Sequence, residues 1–161
     1  MYVEELMTSC IWACTPDTTL DQAVKLMEEH DCGWLPVVPG RGRHPVVGVI
    51  TDRDICLAAH HYGTSLKNVL VREVMSVDVV TCSLKDEVST AWSLLRRSKV
   101  RRLPVIDEEG QLVGLVTLAQ LARFAGERAP LGVPTMQVAR TLASLSRPSR
   151  GPSWASVAWG T

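Results

Sequence analysis

The sequence predicts an α+β fold. It reads as two related copies of a strand–helix–strand–strand–helix unit, followed by a C-terminal extension. Three observations lead there: an internal repeat, a hydrophobic pattern that alternates between helical and strand periods inside each copy, and the length. At 161 residues the chain has room for one core shared by two small repeats.

The repeat carries most weight. Val3-Glu4-Glu5-Leu6-Met7 answers Val71-Arg72-Glu73-Val74-Met75 at an offset of 68. The offset holds through Cys14/Cys82, Ala23/Ala91, Leu26/Leu94 and Leu35-Pro36-Val37 against Leu103-Pro104-Val105. It drops to 66 after a longer loop in the first copy, so that Val47-Gly48 answers Val113-Gly114 and Thr51 answers Thr117. Over 46 aligned positions there are 12 identities, against about three expected from average composition. Two copies are too few for a solenoid and are expected to pack as a pseudo-two-fold pair.

Each copy has a readable order. Thr18 or Thr19 caps a helix carrying Leu20, Ala23, Val24, Leu26 and Met27 at helical spacing, which ends near 31–33. Trp34 to Val38 and Val46 to Ile50 are short apolar strands joined by a Gly/Pro/Arg loop. Thr51 or Asp52 caps a second helix to about His60. In the second copy a helix over 86–98 presents Val88, Ala91, Trp92 and Leu95 on one face. Strands over 103–106 and 112–116 follow, then a helix over 117–125. A further short strand is expected before each first helix, at 11–13 and 79–81. The resulting division is 1–61, a linker at 62–70, 71–125 and a tail at 126–161. The tail is expected to hold a helix over 134–145 and then to be flexible.

Charge and composition exclude several classes. Seventeen basic residues balance seventeen acidic ones, so no positive field favours specific nucleic-acid or membrane-surface binding. The distribution is uneven: residues 3–55 hold nine acids and four bases, and residues 71–121 hold seven of each. No apolar run reaches the ~18 residues of a membrane span. The first residues carry Glu4 and Glu5 without Lys or Arg, unlike a secretory signal. Five cysteines, an odd number, are expected to be reduced thiols in the cytoplasm. Cys10, Cys14, His30 and Cys32 do not form paired CxxC knuckles, so no metal site is expected. No nucleophile–base constellation emerges, and no catalytic residue is assigned.

Gly48-Val49-Ile50-Thr51-Asp52-Arg53-Asp54 ends a strand and opens a helix. A helix start offers free N–H groups and positive dipole to a phosphate. The Thr51 hydroxyl adds a donor, and the Asp54 carboxylate, within one turn, suits two ribose hydroxyls. The competing reading is that both residues merely cap the helix.

The repeat order, the two Leu-Pro-Val strands and this Gly-x-x-Thr-x-x-Asp motif resemble the cystathionine-β-synthase (CBS) domain family. Two copies look like a CBS pair, or Bateman module, over residues 1–125. The resemblance implies a non-catalytic regulatory chain that binds an adenosine-containing ligand between its repeats and signals to an unidentified partner protein. AMP, ADP, ATP and S-adenosylmethionine are the candidate ligands, and no resident cofactor is implied. Thr51, Arg53 and Asp54 would hold the ligand, with Trp34 and Pro36 beside it and Arg101 or Arg102 on its phosphates. The second copy's motif, Gly114 to Gln120, keeps Thr117 but replaces Asp by Gln120, a degenerate site. One working site per chain is therefore expected. The family also implies a homodimer in which the first helices contribute apolar contacts. The alternative is a ligand-free CBS-pair scaffold or stress protein acting through protein–protein contacts.

Overall fold

The computed structural model describes residues 1–40, 42, 44–127 and 142. The expected tail helix over 134–145, apart from residue 142, lies outside the described residues. In chain order the elements are α1 (Leu20–Glu29), β1 (Trp34–Val37), β2 (Gly48–Thr51), α2 (Asp52–Tyr62), β3 (Cys82–Ser83), α3 (Val88–Ser98), β4 (Arg102–Ile106), β5 (Leu112–Thr117) and α4 (Leu118–Glu127). Single 3-10 turns lie at Val3–Glu5, Leu66–Asn68 and Val71–Glu73. The fold class is the α+β arrangement expected, with two small sheets.

The chain forms two compact units, whose described parts are residues 12–79 and residues 1–11 with 80–127. Each unit thus combines the body of one sequence copy with the leading turn of the other. In the unit of residues 12–79, β1 and β2 pair antiparallel with Leu35 opposite Ile50. Leu20, Ala23, Leu35, Val37, Ile50 and Ile55 bury together with Val71 and Val74 of the incoming turn. That turn is tied down by backbone bonds: Val71 N–H donates to Thr18 O (2.8 Å) and Arg72 N–H to Pro16 O (3.0 Å). Arg72 also pairs with Asp17.

The other unit repeats the plan. β4 and β5 pair antiparallel, and β3 joins parallel to β4. Val3 is buried among Val88, Ala91, Leu95, Leu103 and Val116. Val3 N–H donates to Asp86 O (2.9 Å) and Glu4 N–H to Leu84 O (3.1 Å). The repeated Glu5 and Glu73 explain why both turns form. Each carboxylate accepts the N–H that opens its turn, from Tyr2 or Leu70, at 2.7 Å.

Local chemistry sets the helix limits. Thr19, not Thr18, caps α1, accepting from Gln22 N–H while Gln22 Oε1 accepts from Thr19 N–H. α2 runs to Tyr62 and ends on Gly63, whose φ of 59° is the left-handed conformation glycine adopts without cost. α3 starts two residues later than expected, at Val88, because Asp86 Oδ2 accepts from Ser83 N–H (2.8 Å) and holds a turn there. Val24 points outward from α1, whereas its match in α3, Trp92, is buried.

Two expected strands shift. No strand forms over 11–13 or 79–81. Pairing begins only at the matched cysteines, where Cys14 bridges Val37 and Cys82 opposes Val105. Between the bridges at Thr8 and Ser76 and these cysteines the chain passes from one unit to the other. β2 likewise begins at Gly48 rather than Val46.

Burial pushes both the Cys14 and the Cys82 thiol up to about 12, so neither supplies a thiolate near neutral pH. Alkylation of the native protein at pH 8 is therefore expected to label exposed Cys10 and Cys56 and spare Cys14 and Cys82 until denaturant is added, as read by peptide mass spectrometry. A second expectation concerns Gly48. A Cβ there would lie 2.6 Å from Met75 Sδ and 3.2 Å from the Ser76 carbonyl oxygen. Gly48→Ala should cost about 1–3 kcal/mol in urea unfolding; an unchanged midpoint would contradict this packing.

Candidate functional site

The strand-to-helix junction of each unit is built on a reciprocal capping box. Thr51 keeps extended φ/ψ (−118°, 159°) while α2 begins at the next residue. Asp54 N–H donates to Thr51 Oγ1 (3.1 Å). The Thr51 hydroxyl donates to Asp54 Oδ2 (2.7 Å), and Thr51 N–H donates to the same oxygen (3.0 Å). Asp54 is the buried charged residue of the described chain, at 9% exposure. Among the described residues, all its side-chain bonds use Oδ2 and none uses Oδ1. One carboxylate oxygen thus holds the helix start without engaging the other.

β1 delivers Trp34 to the same end of the sheet, as the register partner of Thr51, and Pro36 sits two residues further, opposite Val49. Trp34 and Pro36 are both buried. Arg53 is exposed on α2. Asp52 N–H donates to Gly33 O (3.1 Å), and a Cβ on Gly33 would lie 2.5 Å from Asp52 Oδ2. The missing side chain at Gly33 is thus matched to the carboxylate at Asp52.

The second unit shows the same frame with other groups. Thr117 N–H and its hydroxyl donate to Gln120 Oε1 (2.7 and 2.9 Å), and Gln120 N–H donates to Thr117 Oγ1 (3.2 Å). Gln120 therefore keeps the box without the charge. Its amide Nε2–H donates to Thr8 Oγ1 (2.7 Å), so both ends of the side chain are occupied. Leu118 N–H donates to Arg101 O (2.9 Å), the counterpart of the Asp52–Gly33 bond. Arg101 is exposed and Arg102, the register partner of Thr117, is half-buried.

The structure thus brings Trp34, Pro36, Thr51 and Asp54 together in one unit, and Arg102, Thr117 and Gln120 in the other. Sequence reading missed Thr8 and Ser76. Each is paired through two backbone bonds to the strand that ends at the capping threonine, Thr8 with Leu115 (2.9 and 3.0 Å) and Ser76 with Val49 (both 2.9 Å). The signal was present, since Thr8 and Ser76 occupy one repeat position and both carry a hydroxyl. Among the described residues no group of three or more His, Cys, Asp or Glu side chains is placed to hold a metal ion, and no helix is long and apolar enough to cross a membrane.

Comparison with known proteins agrees with this geometry. A family model described as the CBS domain matches residues 3–61 and again 71–127. The CBS domain-containing protein YhcV of Bacillus subtilis is 34% identical over 120 residues, which cover 74% of this chain and 82% of that protein. The crystal structure of a conserved CBS domain protein of Thermoplasma acidophilum, TA0289, superposes with a TM-score of 0.73 at 26% identity, over 89% of this chain and 75% of that one. The structure of CBSX2, an Arabidopsis thaliana CBS-pair protein, in complex with AMP gives a TM-score of 0.67 at 28% identity, covering 78% and 96% of the two chains. With two matched copies, each carrying the same capped strand-to-helix junction, the chain belongs to the CBS domain family as a tandem CBS pair.

Proposed function

We propose that this CBS pair is a non-catalytic regulatory protein that binds one adenosine-containing ligand per chain, of the AMP, ADP or ATP class, and signals to a partner protein. The observation that carries the reading is Asp54: a buried carboxylate at a helix start, with Oδ2 committed to Thr51 and Oδ1 open. A ribose hydroxyl offers the donor that Oδ1 lacks. The likeness to CBSX2, whose structure holds AMP, supports the ligand class. Assignment of the phosphates to Arg101 or Arg102, and of Arg53 to the ligand site, rests on the sequence pattern. The planar guanidinium fork suits phosphate oxygens. Gln120 supports the count of one, because its acceptor oxygen and its amide are both engaged.

Regulation of this kind requires that the ligand distinguish two conformations, one of which the partner recognises. We further propose that the chain pairs with itself and that it works in a reducing compartment such as the cytoplasm, where an odd number of cysteines, five, would stay as thiols.

A thermal-shift panel of AMP, ADP, ATP and S-adenosylmethionine tests the reading. A ligand at 100 times its Kd stabilises by about 2.7 kcal/mol, a rise of roughly 5–11 °C for a chain of this size. Asp54→Ala should abolish the rise. It should also lower the unliganded midpoint, because the cap is lost at a cost of about 0.5–2 kcal/mol; the two effects are read separately. Absence of any shift in the wild type would favour the ligand-free scaffold. Calorimetry should give a stoichiometry of one, with Arg101→Ala weakening a phosphorylated ligand more than adenosine. Two equivalent sites per chain would refute the asymmetric assignment.

A further inference from the structure

Two methionines seat the exchanged turns on the strands. Met7 and Met75 occupy one repeat position, four residues after Val3 and Val71, the fully buried residues of the two turns. Each packs against the core of its own unit and is half-buried. Met27, by contrast, is buried on α1. Met75 Sδ lies 2.6 Å, and its Cγ 3.2 Å, from the place a Cβ on Gly48 would take. Met7 meets Gly114 in the same way, with Sδ nearest, Cγ at 3.1 Å and Cε at 3.3 Å. Each thioether thus fills the space of the missing side chain, and the bare glycine lets the sulfur approach the strand.

Backbone donors beside each contact are already engaged. Met75 N–H donates to Val71 O (2.8 Å), and Ser76 and Val49 exchange two bonds of 2.9 Å. Met7 N–H donates to Val3 O (2.9 Å), and Thr8 and Leu115 exchange bonds of 2.9 and 3.0 Å. A thioether is only a weak acceptor and loses little in such a place. A sulfoxide is polar and chiral. Its oxygen would have to leave water without any of these donors to accept from. The added atom also needs room beside a glycine whose free space the sulfur already occupies. Half-burial leaves both methionines within reach of a small oxidant.

We propose that Met7 and Met75 are modification sites: a hydroperoxide oxidises their sulfurs, and the sulfoxides loosen the two exchanged turns. The sulfur lone pair takes up one peroxide oxygen and the O–O bond breaks. The other oxygen receives the proton and leaves as water when the oxidant is hydrogen peroxide. Sulfur is oxidised by two electrons and the peroxide is reduced by two. Methionine sulfoxide is reduced by dedicated reductases, which makes the change reversible. Met75 precedes Ser76, whose partner Val49 lies two residues before Thr51, so the loosening reaches the strand that ends at the capping threonine. It does not require a bound ligand.

The test treats the full chain, its accessible thiols alkylated first, with hydrogen peroxide under native conditions. Peptide mass spectrometry should find one added oxygen on Met7, on Met75 and on exposed Met1, with Met27 spared until denaturant is added. The thermal midpoint should fall by at least about 4 °C, and amide exchange at Thr8, Leu115, Val49 and Ser76 should rise about tenfold. Methionine sulfoxide reductase should restore both. Met7→Leu/Met75→Leu is a near-isosteric change. Compared with its own untreated form, and folded by circular dichroism, it should keep its midpoint after the same treatment. If that variant does not fold, reversal of the wild-type shift by the reductase, in step with loss of the added oxygen at Met7 and Met75, decides the matter. Met7 and Met75 left unmodified while Met1 is oxidised would overturn the assignment. So would sulfoxides at both positions with midpoint and exchange unchanged, or an equal fall in the leucine variant.

Discussion

Each compact unit depends on a backbone exchange between the sequence copies. The turn at Val3–Glu5 is hydrogen-bonded to residues 84 and 86, and the turn at Val71–Glu73 to residues 16 and 18. Val3 and Val71 are fully buried where they dock. The bridges of Thr8 with Leu115 and of Ser76 with Val49 then lie along the strands that end in the capping threonines. Glycine is needed at Gly48 and Gly114 because Met75 and Met7, from the same incoming segments, lie against them. A single copy, cut from the chain, would lack the residues that complete its core. The repeat is therefore a unit of sequence, and the exchanged pair is the unit of packing.

That exchange also shapes the candidate site. Both copies solve the same local problem, an extended strand turning directly into a helix, with a threonine and a side-chain carbonyl oxygen three residues on. Asp54 and Gln120 are equivalent for this purpose and differ in what they have left over. Asp54 retains a second carboxylate oxygen that makes no bond among the described residues. Gln120 retains an amide, and Thr8, delivered by the exchanged segment, accepts from it. The second motif thus keeps the cap and adds an internal bond, from the Gln120 amide to Thr8. The same divergence runs through Gly33 and Asp52 against Arg101 and Leu118.

Much of this was legible from residue order. Threonine caps, the buried faces of α1 and α3, the Leu-Pro-Val strands and the Gly-x-x-Thr junctions all follow from local preference and period, which act over a few residues. The strands expected at 11–13 and 79–81 fail because pairing needs a neighbour, and pattern alone does not show where a chain leaves one unit for another. Thr8 was overlooked for a related reason. Its partner, Gln120, is 112 residues away, and the one mark it carries in the sequence is the repeat position it shares with Ser76.

The sequence by itself determined the two-copy architecture, the approximate helix starts and the replacement of Asp54 by the uncharged Gln120, since these depend on residue type and short-range spacing. Only the tertiary structure decided which leading turn completes which core, which carboxylate oxygen of Asp54 stays open, and that Gln120 is engaged at both ends. Those outcomes depend on contacts between segments far apart in the chain, and burial and hydrogen-bond geometry select them only once the whole chain has folded.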